Sequence, residues 1–272
     1  MKKTFLLSCL MLAAMPVMAA YTGHVYVDKN KNGVFDQSEK PLAGIKVSDG
    51  LNVVETAADG SFTLPGHERE RFIFITTPSG YKTFNRHYHK IEKKQSGYDF
   101  GLIPYSGRIR KDGSHRYIHI TDTEIFNTEN HADWVNNVRD YARNEQAAFI
   151  IHTGDICYEK GLKAHIKLMN TENMDCPVFY CIGNHDLVKG KYGEELFESI
   201  YGPVYYSFDA GNVHYVVTPM SGGDHAPGYT SDDVCRWLKN DLAHIRPGTP
   251  VVVFNHDLLT YEDTFIFKSK NA

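Results

Sequence analysis

FYCIGNHDLVKGKYG, residues Phe179–Gly193, runs from an apolar stretch into Gly183-Asn184-His185-Asp186 and then into a charged segment that reads as a helix. An amide, an imidazole and a carboxylate each cost free energy to bury without a partner. A strand that ends on all three in succession needs something at its end to satisfy them. The pattern returns elsewhere: YIHIT runs into Asp122-Thr123-Glu124, AFIIHT into Gly154-Asp155 and on to Tyr158, and VVVFN into His256-Asp257. In an open α/β sheet the carboxyl ends of the strands share one edge, where ligands bind. These clusters are therefore expected to meet in space.

Apolar strands alternating with amphipathic helices over residues 116–272 give an α/β, layered fold, a β-sandwich flanked by helices. The strands read YIHIT, AFIIHT, VFYCI, VYYSF, VHYVVT and VVVFN. Helical spacing joins Trp134, Val138, Tyr141 and Ala142, then Leu196, Ile200 and Tyr201, then Val234, Trp237, Leu238, Leu242 and Ile245. Ser231, followed by Asp232 and Asp233, reads as the N-cap of the last helix. A polar, basic connector over residues 105–115 precedes this part.

Residues 20–104 read as a small all-β sandwich: HVYV, GIKVS, NVVET, SFTL, RFIFITT and YDFGL, with Asp49-Gly50 and Asp59-Gly60 as tight turns. Between the first two runs lies DKNKNGVFDQSE. It places Asp28, Asn30, Asn32, Val34, Asp36 and Glu39 at the ligand positions of a twelve-residue calcium loop, with Gly33 at its sharp turn. The alternative is a solvated Asn/Asp-rich turn, and flanking helices are missing. His87 and His89 share a strand face but have no third ligand, so they carry little weight as a metal pair.

The 272 residues carry 29 Lys and Arg against 33 Asp and Glu, a formal charge of -4 without long single-sign blocks. That excludes a basic footprint for nucleic acid or anionic lipid. Residues 1–19, with Lys2 and Lys3 before a short apolar run and small residues to Ala19, read as an export signal, placing the protein in the periplasm or outside the cell. No later segment reads as membrane-spanning. Cys9 leaves with the signal; Cys157, Cys176, Cys181 and Cys235 remain, and no pairing follows from their spacing. Oligomeric state is not legible.

Asp122, Glu124, Asp155, Asn184, His185 and His256 on one edge would repel one another unless cations neutralise them. Carboxylate, amide and imidazole donors suit divalent transition metals, and two ions a few ångströms apart are the simplest solution. Asp122-x-Glu124, Gly154-Asp155-x-x-Tyr158, Gly183-Asn184-His185-Asp186 and the later His256 together resemble the calcineurin-like metallophosphoesterases. Supporting pieces are YGPVYYSFDAG with NVHYVV, and WLKNDL. The residues before the α/β part resemble the β domain of some exported bacterial members.

The resemblance implies hydrolysis of a phosphomonoester or phosphodiester, from a small-molecule or cell-envelope substrate, through a dinuclear centre of Mn, Fe or Zn and a bridging hydroxide. Asp155 would bridge the metals, Asp122 would hold the first, and Asn184 and His256 the second. His185 would donate a proton to the departing oxygen, with Asp186 orienting its ring. Glu124 stands where the family usually has His, which favours harder ions, and Tyr158 stands where one branch places a phenolate ligand. Members finish their site with a Gly-His-x-His segment that does not occur before Ala272, so a truncated enzyme is expected. The competing reading is a catalytically inactive surface protein whose β domain binds a partner or glycan.

Overall fold

The computed structural model describes residues 20–95, 97–105 and 108–257. The expected export signal and the last residues, 258–272, lie outside them. The N-terminal region is all β. Its strands are Tyr21–Val27 (β1), Lys40–Pro41 (β2), Lys46–Ser48 (β3), Val53–Glu55 (β4) and Ser61–Leu64 (β5), then Phe72–Ile75 (β6), Tyr81–Thr83 (β7), Tyr88–Lys90 (β8) and Phe100–Pro104 (β9). One sheet has the order β2-β1-β9-β7 with β5 also paired to β1; the other has the order β4-β3-β6-β8. Val25, Val47, Phe62, Leu64, Ile73, Ile75 and Leu102 fill the space between them.

The second region begins with β10 (Tyr117–Ile120), α1 (Ala132–Asn144), β11 (Phe149–His152), α2 (Tyr158–Leu168) and β12 (Val178–Tyr180). These three strands form a parallel sheet in the order β10-β11-β12. After α3 (Glu195–Tyr201), β13 (Tyr206–Ala210) and β14 (Val213–Val217) form a hairpin, and α4 (Ser231–Ala243) returns the chain to β15 (Val251–Phe254), parallel to β14. β11 is buried on both faces, hence its unbroken apolar run. Phe149 and Ile151 meet Tyr206, Phe208, Tyr215 and Phe254 of the other sheet, while Ile150 packs with Val135, Leu162 and Phe197 of the helices. The Phe179 and Phe208 rings stack at 3.7 Å across the sandwich.

Four local readings need correction. Residues Leu187–Gly193 are not helical: a 3-10 turn spans Asn184–Asp186, and α3 starts only at Glu195. The residue before Ser231 caps α4, where Thr230 Oγ1 accepts the Asp233 N–H and Asp233 accepts the Thr230 N–H. Of the first helical stripe only Tyr141 is exposed; Trp134, Val138 and Ala142 of α1 face the core, joined by Val135. The α2 helix has no counterpart among the sequence-based elements.

The two regions share a core through β6. Its residues alternate outward: Ile73 and Ile75 join the β sandwich, while Phe72 and Phe74 join the second core, Phe74 lying 6.2 Å from the Trp237 ring. A polar chain crosses the same boundary. Lys46 Nζ donates to Asp209 at 3.3 Å, Asp209 and Asp241 grip the His214 ring at 2.7 and 2.8 Å, and Asp241 is linked through Ser207 Oγ to Thr76 Oγ1. Burial disfavours a charged His214, but hydrogen bonds to Asp209 and Asp241 outweigh it and carry the imidazole up to about 9.

A folded-state value raised above 6.5 contributes stability that is complete below about pH 6.5 and disappears as pH rises through 9. Melting temperatures measured from pH 6.5 to 10 should therefore fall by several degrees. His214→Gln should melt lower at pH 7 and show a flatter alkaline slope; an unaltered slope would separate this network from stability.

Candidate metal centre

The chain leaves β10, β11 and β12 on one edge of their sheet, the end of β15 from the facing sheet meets them at Thr153, and backbone pairing continues past the strands. The Asp122 N–H donates to Gly154 O at 3.0 Å and the Cys181 N–H to His152 O at 2.7 Å. Two glycines bring the ends into contact. A Cβ on Gly154, which has φ +98°, would lie 2.5 Å from the Gly183 nitrogen, and one on Gly183 would lie 2.2 Å from the Asp155 nitrogen. Asp122, Glu124, Asp155, Cys157 and Tyr158 all have left-handed φ between 44° and 77°. Each costs about 1–3 kcal/mol and persists only where surrounding structure dictates it.

This backbone brings together Asp122, Asp155 and His256, each offering one ligand atom within 4.8 Å of the others. His256 Nδ1 donates to Thr153 O at 2.7 Å, so the proton sits there and the Nε2 lone pair is left for the site, 3.4 Å from Asp155 Oδ2. Asp155 is only 6% exposed, and its Oδ1 accepts the His185 N–H at 3.1 Å. Thr121 Oγ1 donates to Asp122. Two carboxylates and a correctly turned imidazole, each held by an outer partner, fit a divalent cation.

Asn184 heads the turn beside Asp155, next to His185. Glu124 is exposed and is not one of the three converging ligands. Tyr158 is 55% exposed; its hydroxyl lies 3.4 Å from His185 Nδ1, and desolvation followed by the charges of Asp224, Cys157 and Glu124 raises its phenol above the ordinary range.

The role expected of Asp186 is corrected. Its carboxylate is fully buried and accepts the Cys157 N–H at 2.8 Å and the Gly183 N–H at 2.9 Å, stapling the end of β12 to the start of α2. Burial pushes it up to about 6 against the pull of those amides. In a three-residue turn neighbouring side chains point about 120° apart, so Asp186 turns away from His185. The partner of His185 Nδ1 is Asp224 Oδ2 at 2.9 Å, and this bond raises the imidazole's affinity for its proton. His185 Nε2 faces the centre, 4.0 Å from Asp155 Oδ2.

His152, unmarked in the sequence, accepts the Gly154 N–H at Nδ1 and meets Thr123 Oγ1 at 2.8 Å through Nε2, tying the Asp122 loop to the Asp155 loop. A second group, Asp49, His67 and Glu70, also converges. Its donors are already taken by Leu51, Asn52, Tyr21, Arg69 and the Asp49 carbonyl, which makes it a closed hydrogen-bonded knot.

Oxygen and nitrogen donors converging at the strand ends of a layered α/β sandwich make a candidate cation site. Two family models match the chain: one described as N terminal of Calcineurin-like phosphoesterase over residues 29–104, and one described as Calcineurin-like phosphoesterase over residues 115–267, more than half of the sequence. The chain belongs to the calcineurin-like phosphoesterases, hydrolases acting on phosphoester bonds. No curated protein matches it.

Geometry divides the acidic residues. Asp155→Ala and His256→Ala should abolish tight manganese or zinc binding in titration calorimetry, whereas Glu124→Gln should change affinity by no more than about tenfold, the lower limit for an outer partner. Loss of binding in Glu124→Gln would place that side chain among the ligands.

Proposed function

We propose that the protein is an exported phosphoesterase that cleaves a phosphomonoester or phosphodiester at a two-metal centre. The carrying observation is the convergence of Asp122, Asp155 and His256 with Nε2 of His256 turned inward. Asp155 would be shared by the two ions, Asp122 would complete one side, and Asn184 and His256 the other, with Mn, Fe or Zn compatible with such donors. A pair of ions there supplies an ionised water at neutral pH and neutralises the phosphoryl oxygens.

This chain's own residues do the rest. The Asp224 carboxylate keeps a proton on the His185 ring and fixes the ring's angle, with Nε2 facing the centre. When the bond from phosphorus to the leaving oxygen breaks, the Nε2 proton passes to that oxygen, so an alcohol departs instead of an alkoxide. Tyr158 lies against the same ring, its own ring 5.3 Å away, and limits how far the imidazole can swing. Export is supported by the pattern of residues 1–19, and a cell-envelope or small-molecule ester would be the substrate met there.

With manganese or iron added, the protein should hydrolyse p-nitrophenyl phosphate or its bis ester. Asp155→Ala should abolish turnover and lose metal, whereas His185→Ala should keep metal and lower the rate on an alkyl ester of the same class by about 10²–10⁴. Full activity of His185→Ala on the alkyl ester would remove it as the acid, and no turnover by the wild type on either ester would favour a binding protein.

The loop after β1 would hold calcium as a structural ion. Asp28 and Glu39 are nearly fully buried, and among the described residues no Lys, Arg or His pairs with them or with Asp36. Their oxygens are drawn inward by loop amides: Asn32 and Gly33 donate to Asp28, and Lys29 and Asp36 donate to Glu39. Asn30 and Asn32 reach Asp36, and Gly33 has φ +72° at the sharp turn. Buried carboxylates without a countercharge destabilise the fold. Because β6 joins the two cores, EGTA should lower a single melting transition by several degrees and calcium should restore it. A transition indifferent to both would identify an ordinary polar turn.

A further inference from the structure

Asp224 sits on a loop, and a loop is a poor platform for a group that must hold a ring to a fraction of an ångström. Residues 220–229 close on themselves where the buried Tyr229 hydroxyl donates to Met220 O at 2.8 Å. Within the loop, the Asp224 N–H donates to Asn184 O at 3.1 Å, and the Gly193 N–H donates to Ala226 O at 2.8 Å. Gly223 presses so closely that a Cβ would lie 2.5 Å from Leu187 and 2.7 Å from Asn184 O.

The remaining restraints come from the β region. Arg69 Nη2 donates to Gly228 O at 2.7 Å, and its Nη1 lies 2.9 Å from Asp233, the residue that closes the cap of α4. The Gly228 N–H donates to both oxygens of Glu194, at 3.1 and 2.9 Å. Glu194 is fully buried, and Arg71 neutralises it at 2.8 Å while also holding Glu198 at 2.7 Å. Both polar groups of Gly228 are thus gripped by the segment before β6, one directly and one through Glu194. A cavity of about 320 Å3 between the two regions, lined in part by Arg69, Arg71, Tyr205 and Tyr229, lies behind this contact.

We propose that the N-terminal β region completes the active site: Arg69 and Arg71 brace the 220–229 loop where Asp224 orients the His185 ring. Arg69 and Arg71 are then positioning residues that touch neither metal nor substrate. The inference rests on the reading of His185 as the acid, and a leaving-group comparison tests the two separately. An aryl ester that releases p-nitrophenolate needs little protonation, whereas an alkyl ester of the same phosphate class needs a full proton transfer.

Arg69 is the residue to change, because its side chain is half exposed; removing Arg71 would strand two buried carboxylates and risk the fold. His185→Ala should lower kcat for the alkyl ester at least tenfold more than for the aryl ester, and Asp224→Asn should repeat that pattern more weakly. Arg69→Ala should lower alkyl-ester kcat by about tenfold, the lower part of what acid catalysis contributes, with aryl-ester kcat, KM and bound metal within about twofold. In an Asp224→Asn background Arg69→Ala should add nothing, and Arg69→Lys should recover part of the loss. Equal losses on both esters, a full additional loss in the double variant, or no loss would overturn the brace. If His185→Ala itself shows no leaving-group dependence, the acid assignment falls, and the brace falls with it.

Discussion

The approach of Gly154 to Gly183 decides what the strand ends can do. Neighbouring parallel strands lie about 4.8 Å apart, too far for the groups that follow them to share a ligand unless the chains converge as they leave the sheet. Here they converge until neither position has room for a Cβ. Asp155 is thereby pushed into left-handed backbone beneath the turn that carries Asn184 and His185, and the His185 N–H closes on its carboxylate. The Asp122 loop is strained in the same sense and is held by its bond to Gly154 and by His152. The cost of five unfavourable backbone conformations is met by the two packed cores on either side of the sheet.

Those cores explain why the flanking segments look as they do. The pieces YSFDAG, NVHYVV and WLKNDL carry no group that reaches the metal centre; they supply Asp209, His214 and Asp241, a buried charge network stacked against β3 and β6. Breaking such a network strands a buried charge, which is more damaging than never having formed it. The β region is therefore not a tethered module. Phe72 and Phe74 belong to the hydrolase core as much as to their own sheet, and the two regions should unfold together.

Much of this was readable from one-dimensional pattern, for a physical reason. β11, β12 and β15 are short apolar runs ended by glycine, asparagine or aspartate; parallel topology puts the ends of β11 and β12 on one edge, and the facing sheet brings the end of β15 against them, where His256 meets Thr153. Asp122, Asp155 and His256 followed directly. What stayed hidden depends on contacts without a period. α2 opens on Tyr158-Glu159-Lys160-Gly161, polar and glycine-containing, because Gly161 packs against the Ile125 and Ile156 carbonyls, where a Cβ would come within 2.6 Å. Residues 187–193 have helical composition, but Gly193 lies under the His225 carbonyl and its N–H is taken by Ala226. Thr230 could have been found, since the three-residue spacing to Asp233 marks a capping box that Ser231 lacks. Asp224, in a run rich in glycine and proline, has no such signal.

The placement of Asp224 follows from charge. A carboxylate that orients the His185 ring must contact Nδ1 without joining the converging oxygen donors, where a further negative group would compete with Asp122 and Asp155 for a cation. Asp186 is adjacent in sequence but already consumed as the staple between β12 and α2, and any residue on the converging strand ends would face the centre. Asp224 reaches the far side of the imidazole from outside, and its oxygens are absent from the converging ligand group. The same separation makes its position depend on a loop, and a loop that must be rigid needs partners with strong, directional donors. Guanidinium groups fixed beside a strand common to both cores provide them, which links the setting of the His185 ring to the fusion of the two regions.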